Sequence, residues 1–306
     1  MASSKGPSTV TTRPAADVPA ERRFESAAPR RRSLIREVIK MPRVWIPGGA
    51  LLALGLVAIF APLLTPSDPF AMNTPAALQG PTDGHVFGTD EYGRDLFSRL
   101  IRGSRSSLLV AITSVSIACS AGLLIGVTGA YFGGWWDIVS MRAVDVLLTF
   151  PPILLAITVV AFLGPSIPNL IGVIALLYTP RFARLSYGSA LQVKQRDYIQ
   201  AAQVIGATAP RILVTGIMPN ILAPIFVQIS LSLGFAILLE SGLSFLGLGT
   251  PPPEPSWGNM VGVGRGYMRQ NGWYVFWPSM AISLAILACN TLGDGLRDAL
   301  DPRLRR

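Results

Sequence analysis

The sequence is poor in charge: Asp, Glu, Lys and Arg make up 14% of its 306 residues, where a soluble domain carries about a quarter. That deficit excludes a disordered chain, which needs high charge density and low hydrophobicity. Cysteine is nearly missing. Cys119 and Cys289 both lie in apolar runs, which excludes a disulfide-stapled secreted scaffold. Histidine occurs once, at His85, so no helix can carry a histidine pair for zinc. Lysine occurs three times, and Lys5, Lys40 and Lys194 are followed by Gly6, Met41 and Gln195. None follows a glycine, so a phosphate loop ending in Gly-Lys-Ser/Thr is excluded. The cluster Gly262-Val263-Gly264-Arg265-Gly266 has no strand before it and reads as a flexible loop.

What is present is apolar. Half the residues are hydrophobic, mean hydropathy is +0.47, and five long intervals contain no charge: Val44–Ser67, Ser106–Trp136, Val146–Pro180, Ile212–Leu239 and Gln270–Gly293. A membrane span needs about 20 apolar residues, and lipid requires internally satisfied backbone, hence helices. The third interval breaks at Gly164-Pro165-Ser166-Ile167-Pro168-Asn169. The expectation is an all-α integral membrane protein with six transmembrane helices, near 45–64, 107–131, 143–163, 168–186, 219–246 and 274–294.

Distributing the basic residues over alternate sides gives 20 on one side and six on the other. The first group is the tail up to Arg43, Arg142, the loop Arg181, Arg184, Lys194, Arg196 and Arg211, and the C-terminal Arg297, Arg303, Arg305 and Arg306. The positive-inside rule then puts both termini in the cytoplasm. Anionic headgroups account for the net charge of +9 without nucleic acid. The segment 1–43, rich in Ser, Pro, Ala and Arg, reads as a disordered basic tail with no signal-peptide pattern. Trp45, Trp273 and Trp277 suit the headgroup level. Between residues 67 and 105 an extracytoplasmic loop is expected, with Leu96, Phe97, Leu100 and Ile101 segregated from Arg99 and Arg102 as in an interfacial helix.

Three acidic groups fall in or near spans: Asp145, Glu240 and Asp294. Intramembrane ionisable groups are functional suspects, and a proton-coupled secondary transporter using them is the main alternative reading. Arg142 beside Asp145, Arg297 beside Asp294, and Ser241, Gly242 and Ser244 beside Glu240 favour structural pairing instead. An intramembrane hydrolase would have to rely on His85.

The loop between the fourth and fifth spans is the informative one. Asp197 is placed to N-cap a helix with Gln200 at its third position, a capping box. Tyr198, Ala201, Ala202 and Ile205 then share one face. Gly206 is a natural stop, and Thr208 with Pro210 starts the next helix. A helix of about two turns is not stable alone, so its apolar face must dock on something.

At this point the chain resembles a known family. Gln200-Ala201-Ala202, then Gly206, then Gly216-Ile217-Met218-Pro219-Asn220 is similar to the EAA loop of bacterial ABC-importer permeases. Phe87–Asp95, Gly129–Trp135, Leu243–Gly249, Pro255–Gly258 and Gly293–Pro302 resemble stretches of the oligopeptide/dipeptide subfamily, C-type subunit. Gln200 stands where the family's Glu is usual, Gly216 where its His is, and Met218 where its Leu is. The resemblance implies a type I ABC importer permease fold in a bacterial inner membrane, with 44–66 as an added N-terminal helix and 106–306 as the five-span core. It implies that helix 197–206 couples to two ABC ATPase subunits, which hold the ATP and Mg, so that this chain has no cofactor or catalytic residue of its own. The other implied partners are a second permease, an extracytoplasmic substrate-binding protein received by the outer loop Gly249–Phe276, and a peptide substrate.

Overall fold

The structure is a computed structural model and describes residues 42–300. The expected basic tail, up to Met41, and the arginines after Leu300 lie outside the described residues. Ten α-helices follow in order: α1 (Pro42–Ile59), α2 (Ala61–Leu64), α3 (Leu96–Phe132), α4 (Gly134–Thr149), α5 (Pro152–Leu163), α6 (Ile167–Lys194), α7 (Asp197–Val204), α8 (Ala209–Phe245), α9 (Trp257–Gly264) and α10 (Trp273–Leu300). The described residues contain no strand, only two isolated bridges in the 82–95 loop.

Of these, α1, α3, α8 and α10 are each long and apolar enough to cross a membrane. The helices α4 and α5 satisfy the same test only together, and they meet at a bend of 92°. The expected straight third span is therefore two helices. Its break lies at Phe150-Pro151-Pro152: Phe150 takes an extended ψ of 136°, as a residue before proline must, and Pro152 opens the next helix. The expected fourth span corresponds to α6, which runs eight residues further, to Lys194. Arg181 and Arg184, counted above with the cytoplasmic loop although inside the expected span 168–186, lie well within this helix. The expected interfacial helix near residues 95–102 is the first turns of α3, continuous with the second span through residue 106. Asp95 caps it by accepting from Ser98 N at 2.8 Å.

The centre of the fold is the parallel pair α3 and α6. A Cβ on Gly122 would meet Phe182 and lie 2.8 Å from Ala183 N; one on Gly126 would meet Ser186 and lie 2.8 Å from Tyr187 N. Only glycine lets the backbones approach this closely, the small-xxx-small packing of membrane helices. Ser186 Oγ donates across the contact to Gly122 O at 3.0 Å. At their C-terminal ends, Lys194 Nζ donates to Ala130 O and Tyr131 O at 3.0 and 2.7 Å. That satisfies carbonyls at the C-terminus of α3 and suits its dipole.

The opposite end of the bundle, near the 85–95 loop, is locked by buried polar contacts. Asp90, fully buried, accepts from the backbone of Tyr92 and Arg94 and from Arg94 Nε, with Arg99 Nε 3.3 Å away. Glu91 bridges Arg94 (3.0 Å) and Tyr274 Oη (2.6 Å), which ties the 85–95 loop to α10. Trp257, 1% exposed, donates through Nε1 to Leu100 O at 3.1 Å and wedges α9 against α3.

Candidate functional site

The short helix α7 hangs from the end of α6 by two residues, Gln195 and Arg196. Arg196, not Asp197, is the N-cap: it takes the extended conformation (φ −77°, ψ 143°), because the chain must turn at once out of α6. Asp197 is the first helical residue, where its charge still complements the helix dipole. The expected capping box does not form. Gln200 Nε2 donates instead to Gln195 O at 3.3 Å, further back along the chain. Gly206 ends the helix at φ +79°. Its N–H reaches Gln203 O, and Ala207 N reaches Ala202 O, both at 3.0 Å. This is a Schellman stop, open to glycine far more readily than to a residue bearing Cβ. Thr208 occupies the next N-cap position without a side-chain bond, and Pro210 lies in that first turn.

The helix is mounted on the molecule by one side chain. Ile199 is 1% exposed and packs with Val193, Ile212, Ile217 and Ile221. It lies so close to Gly216 that a Cβ there would stand 2.6 Å from its Cδ1. Gly216 belongs to a π-helical turn, Ile212–Ile217, at the start of α8. Thr215 Oγ1 donates to Arg211 O and Asn220 Nδ2 to Gly216 O, both at 2.6 Å. These bonds patch carbonyls that a widened turn displaces. Ala202, expected on the outward face with Tyr198, Ala201 and Ile205, is half-buried beside Ile199. The outward face is Tyr198, Ala201, Ile205 and Val204, with Val204 and Ile205 87% and 83% exposed. Concave surfaces flank this strip. One is lined by Lys194, Gln200 and Gln203, the other by Tyr198, Ile205, Arg211 and Thr215.

The three acidic groups diverge. Asp145 on α4 forms an ion pair with Arg184 of α6, not with Arg142, and both partners are partly exposed. Glu240 on α8 is fully buried. Its carboxylate accepts from Ser244 Oγ at 2.7 Å and Ser241 Oγ at 3.3 Å, and Ser107 and Ser256 complete a cage of hydroxyls. The carboxylate thus joins α3, α8 and the start of α9. Asp294 is exposed and has no ion pair among the described residues. His85 Nδ1 lies 3.0 Å from Asp95, the residue that caps α3, and no hydroxyl bonds its other ring nitrogen among the described residues. Among the described residues no three His, Cys, Asp or Glu gather where a metal ion could sit.

Sequence reasoning missed two features. The Lys194 cap on α3 has no linear signature. The role of Arg181 was hidden by its assignment to a loop. Arg181 makes cation–π contacts with Tyr178 and with Phe235 of α8, its Cζ 5.2 and 5.8 Å from the ring centres.

Comparison with known proteins gives a consistent picture. Residues 120–306 match the family described as binding-protein-dependent transport system inner membrane component. The dipeptide transport system permease protein of Alkalihalophilus pseudofirmus is 44% identical over 250 residues, 82% of either chain. The probable D,D-dipeptide transport system permease protein of Escherichia coli is 42% identical, covering 81% of this chain and 83% of its own. The glutathione transport system permease protein of Pectobacterium atrosepticum is 44% identical over 74% of this chain and 75% of its own. Among solved structures, a chain of the inward-facing MetNI methionine ABC transporter superimposes with a TM-score of 0.54 at 18% identity, covering 66% of this chain and 96% of that one. At that identity the likeness concerns the fold, which is that of a type I ABC importer permease.

Proposed function

The chain belongs to the family of binding-protein-dependent transport system inner membrane components, and from that premise we propose that it is the C-type permease subunit of an ATP-driven importer of short peptides. The names of its relatives support the cargo class. In this reading α6 is also a crossing, the fourth of six, both termini are cytoplasmic, and α1 is an addition to a five-span core. A second permease completes the path, two ATPase subunits hold ATP and Mg, and an extracytoplasmic binding protein delivers the peptide to the outer face, helped by the loop from Gly249 to Phe276.

The observation that carries the reading is α7: an apolar strip of Tyr198, Ala201, Val204 and Ile205 left exposed on a helix whose other side is anchored by Ile199. Exposed large apolar side chains on a short, firmly mounted helix fit a groove on a partner. ATP-driven closure of the ATPases would press on α7, and the mount at Gly216 would pass that motion into α8. A proton carrier needs carboxyl groups that exchange protons along a path. Glu240 is sealed by hydroxyls and Asp145 is engaged by Arg184, which favours the permease reading. In the assembled complex, Ala201→Cys should crosslink to a cysteine placed in the ATPase groove. Absence of that crosslink in a complex that still hydrolyses ATP would rule α7 out as the docking element.

A further inference from the structure

Arg181 and Arg184 lie deep in a helix bundle yet point out of it. The helix α6 packs in parallel against α3, with Gly122 against Thr179–Ala183 and Gly126 against Ala183–Tyr187. Gly122 is ten residues from the inner end of α3, about 15 Å at 1.5 Å per residue. Arg181 is thirteen residues from the inner end of α6, about 20 Å on the same rise. With the ends of α3 and α6 taken at the edge of a hydrocarbon core about 30 Å thick, both arginines fall near mid-depth. Facing lipid, they would cost several kcal/mol each, so their exposure marks a face that meets a polar path.

On this face Tyr178, Arg181 and Arg184 follow at intervals of three residues. Asp145 of α4 stands on one side and Phe235 of α8 on the other. Arg184 is neutralised by Asp145. Arg181 is not: its guanidinium has no ion pair and no hydrogen bond among the described residues, only the two rings beneath it. Cation–π contact with the two rings uses none of the guanidinium N–H groups, and these can grip a carboxylate with two parallel bonds. A path for peptides of varied sequence can rely only on groups that all of them share, and the C-terminal carboxylate is one.

We infer that Arg181, held on Tyr178 and Phe235, is a subsite in the translocation path for the C-terminal carboxylate of the peptide, a deepening that rests on the proposed function. The test uses the complete complex in proteoliposomes, loaded with its binding protein. Uptake of dialanine is compared with uptake of dialanine amide for wild type, Arg181→Gln and Arg181→Lys. The ratio between variant and wild type cancels any preference of the binding protein itself. Arg181→Gln should lower uptake of the free acid roughly tenfold or more and leave the amide unchanged. Arg181→Lys, which keeps the charge and loses the fork, should fall between. Equal losses for both probes, or no loss, would overturn the subsite. So would release of the second permease from the Arg181→Gln complex on purification, since that assigns Arg181 to the subunit interface. A wild-type complex that moves neither peptide nor amide refutes the peptide reading itself, a result separate from a subsite failure.

Discussion

The mount of α7 gives the sharpest prediction. An eight-residue helix has too few internal bonds to hold itself, so its order depends on Ile199, with half of Ala202 adding little. Ile199→Ala removes a side chain that is 1% exposed, a loss of about 2–5 kcal/mol for a buried isoleucine. Local opening is governed by such contacts. Taking about 3 kcal/mol, the open population of α7 rises about a hundredfold, at 1.4 kcal/mol per tenfold. Amide hydrogen exchange of residues 200–204, followed by mass spectrometry on the purified protein, should accelerate by that factor while α3 and α6 stay protected. The complementary change is Gly216→Ala. Its Cβ would stand 2.6 Å from Ile199 Cδ1, and this overpacking costs about 1–3 kcal/mol, partly offset by about 1 kcal/mol of helix propensity. Ile199→Val deletes that same Cδ1. In the double variant the clash is gone, so Gly216→Ala should become neutral or stabilising. If exchange in α7 is indifferent to Ile199, or the two sites are additive, the mount is not where the structure puts it.

Two further outcomes follow from the same site and from the buried carboxylate. Gly206→Pro forces φ from +79° to about −65° and removes the N–H that bonds Gln203 O. It should abolish uptake and uncouple ATP hydrolysis from transport with membrane insertion intact, and unchanged uptake would contradict the coupling role of α7. Glu240→Gln keeps the shape and part of the hydroxyl cage, so a thermal-shift assay should show a loss of about 1–3 kcal/mol while uptake stays within about threefold of wild type. Complete loss of transport in a stably folded Glu240→Gln protein would instead revive a proton relay.

How far the sequence could be read depended on the range of the interaction. Charge-free intervals located α1, α3, α8 and α10, because lipid imposes its requirement residue by residue. The stop at Gly206 was legible because a positive φ is a local demand on one residue. The break at Phe150-Pro151 was passed over in favour of the prolines at 165 and 168, although the same rule applies to all of them. Arg181 and Arg184 fell inside the expected span 168–186 but were counted with the loop after it, for a different reason. Positive charge ends a span only if it would face lipid, and whether it faces lipid is settled by α4 and α8, far away in sequence. With both arginines inside α6, the basic surplus becomes 18 against six, still on the same side. The outward face of α7 was read nearly correctly. Ile199 escaped because a two-turn helix has no room to display a full period, and its burial depends on the π turn of α8.

The placement of irregular backbone argues for where this chain yields. At the N-terminal end of α3 Asp90, Glu91, Arg94, Arg99 and Tyr274 form one connected network, and the hydroxyls around Glu240 tie α3, α8 and α9 together. Removing any member of such a network strands its partners without water, which makes partial opening costly. Elsewhere the helices depart from regularity: the 92° bend between α4 and α5, the two-residue link before α7 and the π turn Ile212–Ile217. Each replaces ladder hydrogen bonds with a few side-chain bonds or none, so each deforms at lower cost than a continuous helix. Under the proposed coupling, motion delivered to α7 would meet the two-residue link and the π turn before it reached the buried network. In such a lever α3 and α6, clamped at Gly122 and Gly126, turn as one body.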